Sequence, residues 1–255
     1  MTLEAIVETV RKGDPDRFLS VMAAPPALRA DLFVLYAFNI EVARAPWGSS
    51  EEMIAEMRLQ FWRDVIDAVA DGRTAHQHGL VAPLRQVIKK HDLPVDLFRQ
   101  IIKARRWDIY KDSFADMAEF DRHIDHTAGN LMWLAARSVG APDTARGAVR
   151  DYAYGAGMAN WLVAVPELVA RGRIPLLDGR EPALVKLASA AYARMQRADK
   201  RMLRQAAPAI MAGWLARRIL RSVIRHPEQV ATGQLRPSEF SRRGSLLIKS
   251  MTGCW

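Results

Sequence analysis

Wherever this chain is free of Gly and Pro, apolar residues recur at intervals of three and four, and no run of alternating β-branched residues bounded by turn signals appears. The pattern predicts an all-α protein. Helices are expected at about residues 2–12, 26–44, 80–91, 116–139, 143–170, 182–206, 209–225 and 237–250. Gly13-Asp-Pro15, Pro25-Pro26, Gly140-Ala-Pro142, the stretch from Gly172 to Pro182 and His226-Pro227 separate them. The clearest helix follows Pro46-Trp-Gly48. There Ser49 and Glu52 have capping-box spacing, Ile54, Met57, Phe61, Val65 and Val69 line one face, and Gly72 ends the run. Pro94 suits the first turn of a helix reaching about Lys111, with Leu97, Ile101 and Ile102 inward.

Length and charge narrow the picture. At 255 residues, half of them hydrophobic, residues 1–255 can bury one large core as a single domain, and no repeat, low-complexity tract or flexible linker divides them. No apolar run reaches the roughly 18 residues of a spanning helix. The first 20 residues mix charges and lack the continuous apolar stretch of a signal peptide, so a cytoplasmic location is expected. Cys254 stands alone and cannot form an internal disulfide. The net charge of +9 is uneven: residues 194–249 hold 13 Lys or Arg against three acids, and the remainder is close to neutral. Such a region suits a solvated face, an acidic protein or an anionic membrane surface, the last implying a peripheral position at the inner face of the cytoplasmic membrane. Nucleic acid is not the expected partner.

Two segments carry a more specific signal. Tyr36-Ala-Phe38 opens one, followed by Asn39, Ile40, Glu41, Val42, Ala43 and Arg44; the other runs from Asn160 through Glu167 to Arg171-Gly-Arg173. Both resemble the two metal-binding helices of the squalene/phytoene synthase family. Arg58-Leu-Gln-Phe-Trp-Arg-Asp-Val65, His91-Asp-Leu-Pro94 and Thr127-Ala-Gly129 resemble further family segments in the same order, so the likeness runs from about residue 16 to 178. It implies a single helical bundle of the isoprenoid synthase type. In that family, aspartates four apart on two facing helices hold Mg²⁺ against a departing diphosphate, since residues at i and i+4 share a helix face and Mg²⁺ takes carboxylate and phosphate oxygens. Here Ala43 and Arg44 stand where the first aspartate pair belongs. Ala164 and Leu168 replace the two aspartates of the second motif, Val163 replaces its arginine, and Pro166 is expected to bend or interrupt that helix.

No catalytic residue, metal ligand or cofactor is therefore expected. The resemblance is nearest to a degenerate branch of the family, which implies binding or assembly in place of prenyl transfer, with respiratory complex I subunits or an assembly intermediate as partner and an isoprenoid lipid as a candidate ligand. Tyr36, Phe38, Glu41, Trp62, Asn160, Glu167 and Arg173 are the cavity candidates by this resemblance. Phe61, Trp133, Tyr152, Tyr154 and Trp161 fall on the same helices, where core packing competes with a retained apolar pocket. Two alternatives stay open. One is an active head-to-head prenyltransferase whose ligands have moved to Glu41, Glu167 or the Asp121/Asp125 pair. The other is a peripheral isoprenoid- or lipid-binding protein, suggested by a stretch that puts Arg217, Arg221 and Arg225 on one stripe and Leu215, Ile219, Leu220 and Val223 on another. Asp121, His123, Asp125 and His126 have helical metal spacing but read as a solvated polar face, and His76-Gln-His78 lacks a third ligand.

Overall fold

A computed structural model describes residues 2–73 and 78–252; His76 and Cys254 lie outside them. The described residues contain helices and turns, with no strand. Helices α1 (Leu3–Gly13) and α2 (Pro15–Met22) meet at Asp14, whose side chain caps α2 by accepting from Arg17 N at 2.9 Å. Next come α3 (Pro26–Arg44), a 3₁₀ turn (Ala45–Gly48), α4 (Glu52–Ala70), α5 (Val81–Lys90) and α6 (Val95–Ala104). A second 3₁₀ turn (Arg105–Asp108) leads to α7 (Met117–Ile124), which passes through a π-helical turn (Asp125–Gly129) into α8 (Asn130–Ser138). The long α9 (Arg146–Ala170) is followed by α10 (Glu181–Arg197), α11 (Lys200–Arg204), α12 (Ala207–Ile210), α13 (Ala216–Arg225), α14 (Gln229–Thr232) and α15 (Glu239–Thr252).

Helices α3 and α9 are buried on nearly every side, which is how an interior helix differs from an amphipathic surface one. In α3 the nine residues Leu32–Ile40 are buried without a break. Helix α9 packs against α7, α8, α10, α13 and α14, and α3 against α1, α2, α5 and α8. Small residues set the closest approach. A Cβ at Gly157 of α9 would come within 2.5 Å of Ala128 Cβ and 2.9 Å of Ile124 Cγ2, so only glycine lets the π turn lie this close.

Several local expectations change: α6 ends at Ala104 and passes into a 3₁₀ turn short of Lys111, α10 ends at Arg197, and the helix expected over 209–225 is broken between Ile210 and Ala216. In α4 Val65 and Val69 are buried as expected, but they are joined by Ala55, Leu59, Trp62, Ile66 and Ala68, while Met57 is exposed. Trp62 fixes that rotation by meeting Phe38 edge-on at 5.7 Å. The Ser49–Glu52 capping box does not form: Ser49 Oγ accepts from Glu51 N at 3.1 Å, and α4 starts at Glu52, too late for Ser49 to cap it. Pro166 does not interrupt α9. It deprives Leu162 of one helical hydrogen bond, but the helix continues to Ala170, with α14 packed on it and Gly233, at a φ of +72°, beside the proline ring.

Candidate functional site

The C-terminal halves of α3 and α9, together with the α1–α2 corner, the two 3₁₀ turns, the π turn and the segment leading into α13, enclose a cavity of about 990 Å³. The motif positions face it: Asn39, Ala43 and Arg44 from α3; Asn160, Val163, Ala164, Glu167 and Leu168 from α9. Each position where the resemblance expects an ion-binding aspartate therefore lines the cavity, and each carries an alkyl or guanidinium side chain.

The cavity holds four carboxylates, and each is engaged by an arginine. Asp14 pairs with Arg17 at 2.8 Å, Asp16 with Arg242 at 2.7 Å, Asp108 with Arg105 at 3.4 Å and Glu167 with Arg171 at 2.5 Å. Burial raises the pKa of Asp16 and of Asp108 against the pull of these arginines. By contrast Arg44, Arg58 and Arg236, which also line the cavity, form no ion pair among the described residues. Arg44 reaches over Gly13, where a Cβ would sit 3.0 Å from its Nη2, and Arg58 lies across Gly48, where a Cβ would overlap the guanidinium. Two buried ring nitrogens in the wall, His123 Nε2 and Trp214 Nε1, also lack a hydrogen-bond partner among the described residues. Burial, with Arg105 and His126 nearby, pushes His123 down to about 3, so it stays neutral among Trp107, Phe114 and Trp161. The wall thus offers more donors than acceptors. It can take anionic oxygens, and it does not fit a cluster of dications: no group of three or more His, Cys, Asp or Glu suited to a metal exists among the described residues.

Of the candidate residues, Asn160 and Glu167 line this cavity, and Tyr36, Phe38, Glu41, Trp62 and Arg173 do not. Phe38 points into the core behind α3, whereas Tyr36 is buried beneath the cavity wall, with the Arg17 guanidinium over its ring at 5.5 Å. The Tyr36 hydroxyl is wholly buried, which raises it to about 12, and Phe38 fills a wedge between Trp62 and Phe98. Glu41 lies outside the lining because its place in the helical turn directs it away from the face shared by Asn39 and Ala43. Arg173 is a structural tie: it stacks over Trp47 and donates to the carbonyls of Asp108, at 2.8 Å, and Ile109, at 3.2 Å. The other aromatics divide in the same way, since Trp161 alone among those singled out from sequence lines the cavity.

The Asp121–His126 segment is no solvated face either. Asp121 accepts from Tyr154 Oη at 2.5 Å, Asp125 is held by Arg150 with one bond of 3.1 Å, and His123 is buried, so the segment fastens α7 and the π turn to α9. On α13 the apolar stripe is buried as expected, and Arg221 and Arg225 are exposed. Arg217 is not fully outward: half-buried beside Leu220 and Ile224, its Nε has no partner.

Sequence reasoning passed over Asn39, Trp47, Arg58, Arg105, Asp108, Trp214 and Arg236 as cavity residues. Arg236 and Trp214 lie far from the motifs in sequence and gave no signal there. Arg58 stood in the quoted Arg58–Val65 segment, and its charge beside a ligand-poor motif was the available clue.

Comparison with known proteins bears on the fold and the family. Two solved structures cover 98% of this chain: a dehydrosqualene synthase in complex with ligand, at a TM-score of 0.75 and 15% identity, and a squalene synthase from Alicyclobacillus acidocaldarius, at 0.61 and 17%. These show the fold. Among curated relatives, the NADH dehydrogenase (ubiquinone) complex I assembly factor 6 of Bos taurus is 27% identical over 169 residues, 66% of this chain and 50% of that protein. Its Drosophila melanogaster homolog is 28% identical over 174 residues, 66% and 52%. The chain spans about half the length of these relatives. The family description "Squalene/phytoene synthase" matches residues 10–176, well over half of the sequence, and with the fold it establishes that this chain belongs to the squalene/phytoene synthase family.

Proposed function

We propose that this chain is a non-catalytic member of its family and acts as an assembly factor for respiratory complex I. The relatives named for that role support the partner, and the cavity supports the lack of prenyl transfer. One observation carries the reading: the positions of the ion-binding aspartates are Ala43, Arg44, Ala164 and Leu168, and every carboxylate in the same cavity is already paired with an arginine. Removing a single electrostatic stabiliser commonly costs about 10²–10³ in rate, and here nearly the whole set is replaced. The relocated-ligand alternative is not favoured. Glu41 lies outside the cavity, Glu167 is held by Arg171, and Asp121 and Asp125 are bonded to Tyr154 and Arg150. Deleting the gene should lower NADH-quinone reductase activity and complex I abundance, and re-expression should restore both; unchanged activity and abundance reject the assembly role.

A second reading concerns the cavity itself, favoured by Arg44, Arg58 and Arg236 and by the unpartnered Trp214 Nε1. It retains an isoprenoid lipid with an anionic head, bound directly by guanidinium groups. Charge-assisted hydrogen bonds of this kind are worth about 1.5–3 kcal/mol each. Calorimetry with farnesyl diphosphate in EDTA should therefore show binding that weakens by about tenfold or more in Arg44→Ala. Binding that needs Mg²⁺, or is indifferent to Arg44, rejects it.

A further inference from the structure

Helix α15 lies on the bundle with its polarity reversed. Arg242 on its inner side donates to Asp16 at 2.7 Å, Lys249 donates to the Trp214 carbonyl at 2.7 Å, and Leu246 is buried. On its outer side Phe240 is 89% exposed, Leu247 61%, Ile248 63% and Met251 79%. Their spacing of seven, one and three residues gathers them into one stripe opposite Arg242 and Lys249. A surface helix of a globular domain does the opposite, facing apolar residues inward. The inward polar bonds hold the helix in this rotation, so the exposed stripe is not a fraying end, and contiguous exposed apolar surface of this kind marks an interaction site.

We propose that the outer face of α15 docks on an anionic lipid bilayer. Charge decides the occupant. Exposed Arg218 joins one edge of the stripe by donating to Ser241 Oγ, and Arg221 and Arg225 continue the basic row along α13; at the other edge Arg243 is paired with Glu239 at 2.6 Å, so the net positive charge comes from the α13 side. Along the sequence, residues 194–249 carry 13 basic side chains against three acidic ones, of which Arg194, Arg242 and Arg243 are engaged by Asp151, Asp16 and Glu239. A second copy stacked by this face would bring these arginines against each other. An interfacial helix with apolar residues on one face and basic residues beside them lies in the headgroup plane of an anionic membrane, and no helix among the described residues is long and apolar enough to cross one. The inference goes beyond the assembly role and is independent of it.

The test is co-sedimentation of the full chain with vesicles of phosphatidylcholine alone and with added phosphatidylglycerol. Binding is expected to the anionic vesicles and to fall with salt. Leu247→Ser with Ile248→Ser should reduce it by about tenfold or more, and Arg221→Glu with Arg225→Glu should abolish the preference for anionic lipid. These side chains are exposed, and circular dichroism verifies that the variants stay folded. No binding, equal binding to both vesicle types, or wild-type binding by the Leu247/Ile248 variant would overturn the proposal. A stripe-dependent dimer in sedimentation velocity would also overturn it, by giving the face to a second copy.

Discussion

About one and a half turns of α3 separate regions with opposite outcomes. Around Phe38 the helix is packed into a wedge of Trp62 and Phe98, while at Ala43 and Arg44 it borders an open, arginine-rich cavity. The first region carries Tyr36-Ala-Phe38, which resembles the family's motif; the second carries Ala43 and Arg44 and no carboxylate. The difference separates what such a motif reports: its aromatic half specifies how helices pack, and its acidic half specifies chemistry. One half can be replaced without the other, because burial and ion binding are carried by different faces.

The strongest way to break that comparison is to mutate both regions. Phe38→Ala should destabilise the fold by about 3–5 kcal/mol in denaturant unfolding, whereas Ala43→Asp, at the cavity edge, should stay within about 1 kcal/mol. Similar losses at the two positions would show that the cavity wall is as tightly determined as the core. A second test contrasts two glycines of α9. Gly157→Ala should cost about 1–3 kcal/mol by forcing the π turn outward, while Gly147→Ala, with open space around it, should stabilise by up to about 1 kcal/mol.

A pH titration sharpens the cavity side. His123, held down to about 3 when folded, takes up its proton at much higher pH in the unfolded chain. Its contribution is therefore fully present above about pH 6.5 and is lost as pH falls towards 3, by up to about 1.4 kcal/mol per pH unit. Buried Asp108, shifted upward, acts in the opposite sense, so the difference between wild type and His123→Phe isolates the histidine. Unfolding midpoints measured from pH 7 to pH 4 should fall more steeply in wild type than in the variant.

The helical bundle was legible in sequence because apolar periodicity is written into each local stretch, and the expected helices at 26–44, 80–91 and 237–250 match α3, α5 and α15 within a few residues. The motif spacing singled out Ala43, Arg44, Ala164 and Leu168, and all four line the cavity. What escaped was rotation and distant partnership. The turn of α4 that buries Trp62 and exposes Met57 is settled by Phe38 on another helix. Arg105 and Arg236 reach the cavity, and Arg242 reaches Asp16 in its wall, from segments that carry no motif. The inverted α15 was hidden for the same reason: its periodicity is ordinary, and only Asp16 and the Trp214 carbonyl determine which side turns inward.

Diphosphate release from farnesyl diphosphate in saturating Mg²⁺ tests the central claim most directly. A cavity whose carboxylates are all occupied by arginines should give no release above the uncatalysed background. Magnesium-dependent release that disappears in Glu167→Ala would contradict the account.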